Sequence, residues 1–346
     1  MHSRDCRITA YANNSLTRLN LGSDAEWLDA GAQSSSFGQT GQLEAAAVEK
    51  VPIPAVVSTT EGVRANLKQL IAAFGIEFRL PSAERGLIVI VPLATFLCVL
   101  SMAAYQPMPD GLYTAAYAAR MAESLLLFLF AIAIFFTGES MHRDRELRVE
   151  PVLWSVPAPD FVLLLSKFSA TLLLSFSFSL LVGLAAIALQ IFRGHTPFEI
   201  PVYLKLYTVI LLPSMVFMIS AVTVLNVLLR DKYLTYAVSL AVGGGLFYLF
   251  NLGYNHWLYN PVLYGLWTPS DLDGTGGNLT RILTHRVYCL ALATLFLSLA
   301  HLFFERKSTG GLRVKNRLRG AGGSALIIFF STVIAVITGL MIGGRV

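Results

Sequence analysis

The chain of 346 residues is 55% hydrophobic and only 14% charged, with a net charge of +5 and a mean hydropathy of +0.63. An average soluble domain carries about 25% charged residues, so a water-solvated globule is excluded. Cys6, Cys98 and Cys289 are isolated and odd in number, which argues against a disulfide framework or a cysteine metal pair. The excess positive charge belongs to loops between apolar runs, reads as membrane topology, and forms no basic face for nucleic acid.

In chain order, residues 1–60 are rich in Ser, Gly, Ala, Asn and Gln. Such a segment cannot bury enough apolar surface to offset its ordering entropy, which predicts a disordered cytoplasmic tail. From Val63 the pattern changes, and an amphipathic helix is predicted over 61–80. Leu67, Leu70, Ile71, Phe74 and Phe78 share one face, while Arg64, Asn66, Lys68 and Gln69 point away. A helix of this kind lies in the membrane interface with its cations among lipid headgroups. It is expected to act as an elbow that positions the first span, or as a simple anchor.

Seven apolar runs follow, at about 87–104, 119–137, 168–191, 207–229, 234–252, 287–304 and 324–342. A spanning helix needs roughly 20 apolar residues to cross about 30 Å of hydrocarbon, and helices satisfy every backbone polar group within the segment. The expected fold is an all-α polytopic membrane bundle. The first apolar run begins too far along the chain to be a signal peptide. Pro213 is predicted to kink the fourth span, and Gly243-Gly244-Gly245 to permit close helix approach or local unwinding in the fifth. Ser169, Ser175, Ser177 and Ser179 are expected to bond their own helix backbone rather than line a polar path. Arg120 and Glu123, one turn apart, read as a mutually satisfied pair near the headgroups. The aromatics Tyr254, His256, Trp257, Tyr259, Tyr264 and Trp267 suit an outer interfacial belt, with a lipid or hydrophobic-substrate contact as the alternative. A basic linker over 308–323 leads to the seventh run.

Lys and Arg concentrate on the cytoplasmic side of short loops. With the N-terminus inside, the cytoplasmic segments hold Lys68, Arg79, Arg85, Arg143, Arg145, Arg148, Lys167, Arg230, Lys232 and the basic run from Arg306 to Arg319. The opposite side holds only Arg120, Arg193, Lys205, Arg281, Arg286 and Arg345. The expectation is a multi-pass protein of a bacterial-type inner membrane, with its N-terminus inside and its C-terminus outside.

One gap between spans looks like machinery. Directly after a lipid-like run come Glu139, Arg143, Asp144, Arg145, Glu146, Arg148 and Glu150, followed by Pro151, Pro157 and Pro159 and a return to apolar sequence at Lys167. Opposite charges three to five residues apart suit a short solvated helix, which the prolines then end. A rigid helix lying along the membrane, tied to two spans, would serve as a lever for a soluble partner.

The order of these residues resembles the ABC-2 type permease family, the membrane subunits of ATP-binding-cassette exporters. The matching features are Gly138-Glu139, Arg143-Asp144-Arg145-Glu146, Ser155-Val-Pro157-Ala-Pro159 and Lys167. Upstream are Glu77-Phe78-Arg79 and Glu84-Arg85; downstream are Leu266-Trp267-Thr-Pro-Ser-Asp271, Arg286 and Phe303 to Lys307. The resemblance covers about residues 63–307 and is similar to permease halves that can be fused to a zinc aminopeptidase. It implies a six-span permease domain over 87–307, paired with a second permease half as a homo- or heterodimer. It also implies ABC ATPase subunits that carry ATP and Mg and dock on Glu139, Arg143, Asp144, Arg145, Glu146, Arg148, Pro157 and Lys167. No cofactor is expected on this chain, because it has no Gly-Lys pair for a phosphate-cradling loop and no His-Glu-x-x-His zinc motif. The seventh span departs from the six-span pattern. It motivates an alternative in which the chain is a scaffold or anchor for an extracytoplasmic domain. A lipid-modifying enzyme is a further alternative, disfavoured by scattered histidines and by spans almost devoid of carboxylates.

Overall fold

A computed structural model of the chain describes residues 62–82, 85–104, 113–148, 158–195, 199–254, 256–260, 262, 268–273, 277–304 and 322–344. The expected tail over 1–60, Pro157 and most of the basic linker lie outside the described residues. The described residues are helical, with no strand among them: α1 Val63–Ser82, α2 Arg85–Ala104, α3 Tyr113–Glu146, α4 Asp160–Phe192, α5 Ile200–Leu229, α6 Lys232–Asn251, α7 Pro269–Asp273, α8 Leu279–Phe303 and α9 Gly322–Gly343. Six of them (α3, α4, α5, α6, α8 and α9) are long and apolar enough to cross a membrane. The expected first span is weaker. Its described apolar stretch, Val89–Ala104, covers only about 24 Å at 1.5 Å per residue, short of a full hydrocarbon core.

The core lies where α2, α3, α4 and α5 meet. Cys98, Met102, Met121, Leu125, Leu129, Val182, Leu206, Leu211 and Ile219 are buried there. Ala115, Ala118, Ala119 and Ala122 give α3 a low-relief face, which lets neighbouring backbones approach closely.

Helices α3 and α4 are far longer than a bilayer requires. With 34 and 33 residues they reach about 50 Å each, and their shared overshoot carries Glu139–Glu146 and Asp160–Lys167. Helix α1 packs against this stem. Leu70, Phe74 and Phe78 are half-buried on it, while Leu67 and Ile71 are exposed on another face. The apolar residues of α1 therefore serve two surfaces.

Local chemistry explains several departures from plain helix. Pro213 does not simply kink α5. Its missing N–H and its ring, which crowds the carbonyl four residues back, are accommodated by a π-helical turn over Leu206–Leu211, with Leu212 N–H donating to the Tyr207 carbonyl. Helix α6 runs unbroken through its glycine triplet, so no unwinding occurs. Gly243 is instead a notch for the Phe130 ring: an added Cβ would stand 1.8 Å from that ring. Reciprocally, Gly138 on α3 receives the Tyr236 ring, and Tyr236 Oη donates to the Phe135 carbonyl at 3.3 Å. Ser175, Ser177 and Ser179 donate to the carbonyls of Thr171, Leu173 and Ser175, as their positions predicted.

Helix α9 packs along α8 and is fastened near both ends. Trp257 is buried against Tyr288, edge to face at 5.5 Å, and lies 3.4 Å from the point where a Gly339 Cβ would sit. At the other end the His301 ring and the Ser324 hydroxyl are 3.0 Å apart. Trp257 is thus a core residue, whereas Tyr254 and Tyr259 are exposed as belt residues should be.

Candidate coupling site

The charged run after the second apolar stretch is not a separate lever helix through Glu146. It forms the last turns of α3, because nothing between Phe136 and Glu146 breaks a helix. Its charges are also not satisfied along their own helix. They reach across to α1, α4 and α6.

Glu77 sits at the centre. It is the one acidic residue in α1, placed on the half-buried face beside Phe74 and Phe78. Its carboxylate accepts from Arg143 Nη2 at 2.5 Å, from Lys167 Nζ at 2.8 Å and from Ser140 Oγ at 3.2 Å. Lys167 Nζ also contacts Asp144 Oδ2 at 2.9 Å and donates to the Ser140 carbonyl at 2.6 Å. Two cations and two carboxylates make a neutral cluster. The side chains of Glu77, Arg143 and Lys167 are only 13%, 11% and 8% exposed. Charges so withdrawn from water are tolerable only when paired and hydrogen-bonded, and here each pairing joins different helices.

A second set fastens α6. Lys232 Nζ lies 2.6 Å from Glu139 and 2.8 Å from Glu146, and Arg145 donates to the Arg230 carbonyl at 3.1 Å. The α5–α6 turn is tight: Arg230 adopts left-handed backbone at φ 57°, and the Asp231 side chain caps α6 by accepting from Leu234 N–H at 2.7 Å. Arg148 is exposed in a turn, also left-handed at φ 55°.

Of the residues singled out from sequence, Glu139, Arg143, Asp144, Arg145, Glu146 and Lys167 are brought together. Arg148 stands apart at the surface, and Pro157 lies outside the described residues. Sequence reasoning missed Glu77 and Lys232 as members. The signal for Glu77 was a lone acid flanked by aromatics on a helix otherwise bearing cations. For Lys232 it was a cation opening a span just after a left-handed turn. His142, 6% exposed on the same end of α3, was also missed.

A bundle with six helices long and apolar enough to cross a membrane, and with its inter-helix ion pairs among the described residues gathered at one end, defines an integral multi-pass membrane protein. A family model described as ABC-2 family transporter protein matches residues 85–251, which take in α2 through α6. Across these residues the chain carries an ABC-2 type permease domain, the membrane component of an ABC transporter. No curated protein and no solved structure matches. Glu77 on α1 lies before the matched segment, while α7, α8 and α9 lie beyond it.

Proposed function

We propose that the chain is the membrane half of an ATP-driven exporter, worked by a separate ABC ATPase that presses on the stem formed by the ends of α3 and α4. One observation carries this reading: the Glu77 cluster ties α1, α3 and α4 together at the charged ends of α3 and α4. Lys232 adds α6 to the same unit. A force on the stem tip, near exposed Arg148, therefore reaches four helices at once, and no separate lever helix before Glu146 is needed.

In this reading the Glu77 end faces the cytoplasm of a bacterial-type inner membrane, as the distribution of Lys and Arg favours. ATP and Mg are held by the ATPase subunits. The permease works as a dimer, with a second copy or a sister half. The six-span domain over 87–307 follows the interfacial α1, and α9 is a seventh wall that places the C-terminus outside. The exposed face of α1, with Leu67 and Ile71, rests in the lipid interface.

The test is purification of the tagged full chain from its native membranes under mild detergent. A co-purifying ATPase whose hydrolysis rises on reconstitution with the permease is expected. Arg148→Glu, at the exposed tip, should cut that stimulation while leaving expression and thermal stability intact. Absence of any nucleotide-hydrolysing companion would sink the proposal. A scaffold reading draws on α9 alone; it requires that deleting 308–346 abolish function without changing ATPase stimulation.

A further inference from the structure

Away from the Glu77 cluster, in the first half of α8, Arg286 is a buried cation with no carboxylate partner among the described residues. Arg286 lies seven residues into α8, about 10 Å from its start, and is 4% exposed. Its Nη1 donates to Ser214 Oγ on α5 at 3.0 Å. Ser214 in turn donates to the Ile210 carbonyl at 2.8 Å, so the hydroxyl is free to accept. The Arg286 Nε is buried with no hydrogen-bond partner, and no carboxylate pairs with the residue among the described residues. A guanidinium presents five N–H donors in a rigid fork. One is used here, by a neutral hydroxyl.

The same seam continues outward. Lys205, half-buried, donates to the Leu272 carbonyl at 3.0 Å, again a neutral partner. A cleft of about 30 Å³ opens beside it, lined by Lys205, Ile210, Asp271, Leu272 and Ile282 among others. Ile210 and Ile282 stand four residues before Ser214 and Arg286, so the cleft lies one turn outward of the Arg286–Ser214 contact. The carboxylate that lines the cleft is already engaged: Asp271 accepts from Thr268 N–H and Oγ1 at 2.8 and 2.9 Å and from Asn278 N–H at 3.3 Å.

We infer that the seam between α5 and α8 is an anion-accepting subsite, with Arg286 as its anchor and Lys205 at its mouth, for the phosphate or carboxylate of an amphiphile. The fork of Arg286 matches the paired oxygens of such a group. The apolar flanks, Leu272, Leu279 and Ile282, suit the chain attached to it. In this inference an anionic lipid, or a substrate of similar build, presents its head from the start of α8, about 10 Å along the helix from Arg286. The inference draws on the transport reading only for the ligand's later fate.

The test uses the full chain in phosphatidylcholine nanodiscs without any ATPase, and two probes. Phosphatidylglycerol is added in one arm and followed by native mass spectrometry. Inorganic phosphate is added in the other and followed by thermal shift. The wild type is expected to retain phosphatidylglycerol over phosphatidylcholine, and Arg286→Gln to lose that preference by about tenfold or more, the size of one charge-assisted pairing. Arg286→Lys, which keeps the charge and loses the fork, should fall between, and Lys205→Gln should weaken retention less. Saturable stabilisation by inorganic phosphate alone would support the subsite with a soluble anion as its source. Equal retention in wild type and Arg286→Gln, with no phosphate effect, overturns the inference. Should Arg286→Gln fail to fold, unchanged binding in both Arg286→Lys and Lys205→Gln overturns it equally. A chain that binds the anion yet joins no ATPase would sink the transport reading and leave this one standing.

Discussion

The two ends of this bundle treat their cations in opposite ways. At the Glu77 end, Arg143, Lys167 and Lys232 each meet a carboxylate on another helix. At the far end, Lys205 and Arg286 bond a carbonyl and a hydroxyl, and an ion pair there among the described residues, Arg120–Glu123, is exposed and local to one helix. Inter-helix ion pairs fix elements against one another, so the Glu77 end is built to move as a unit. Positive charge left with neutral partners is what the inferred anion subsite draws on.

The sharpest way to break that contrast is Glu77→Gln. It takes away the carboxylate that Arg143 meets and leaves Lys167 with Asp144, and removing one partner from a buried ion network costs about 3–5 kcal/mol. A large drop in thermal stability is expected in detergent, with partial recovery in the Glu77→Gln, Lys167→Met double variant. Gly243→Ala tests the middle of the bundle, where no charge is involved. Its Cβ would collide with the Phe130 ring, and overpacking of this sort costs about 1–3 kcal/mol; Phe130→Ala in the same chain should relieve it.

A smaller effect is expected at α7. Burial pushes the Asp271 carboxyl up, but hydrogen bonds from Thr268 and Asn278 outweigh it and hold the group below the usual carboxylate range. A depressed folded value means that the stabilisation is complete above the ordinary carboxylate pKa, about 4. It is lost as pH falls through the lower, folded value. Wild type and Asp271→Asn should therefore differ at pH 7 by about 0.5–2 kcal/mol, the scale of a capping contact, and converge as the solution is acidified. The smallest change is expected for Glu123→Gln. Exposed pairs contribute about 0–1 kcal/mol, and a measurable loss there comparable to that of Glu77→Gln would erase the distinction between the ends.

Reading the sequence located the charges but not their partners. The apolar runs announced their helices because nothing other than lipid suits a 19-residue run such as 119–137. The serines of α4 were legible because a hydroxyl in a helix has its own backbone within reach. The segment from Glu139 to Glu146 misled, since opposite signs at helical spacing look self-sufficient. Glu77 and Lys167 are 66 and 24 residues from Arg143, and no local pattern reports which acid will meet which base across packed helices. Trp257 misled for a related reason. An aromatic near a span end reads as a belt residue until Gly339 and Gly343, more than 80 positions later, supply a notch for it.

The wide turn over Leu206–Leu211 sets how the beginning of α5 is phased against its remainder. One surplus residue rotates everything before it by about 100° relative to an uninterrupted helix. Lys205 can reach the Leu272 carbonyl while Ser214 meets Arg286 only with that offset in place. Shortening the turn by a single residue would swing the lysine off its seam and leave the serine where it is, so the spacing itself, rather than any side chain within it, keeps the two positive groups in line.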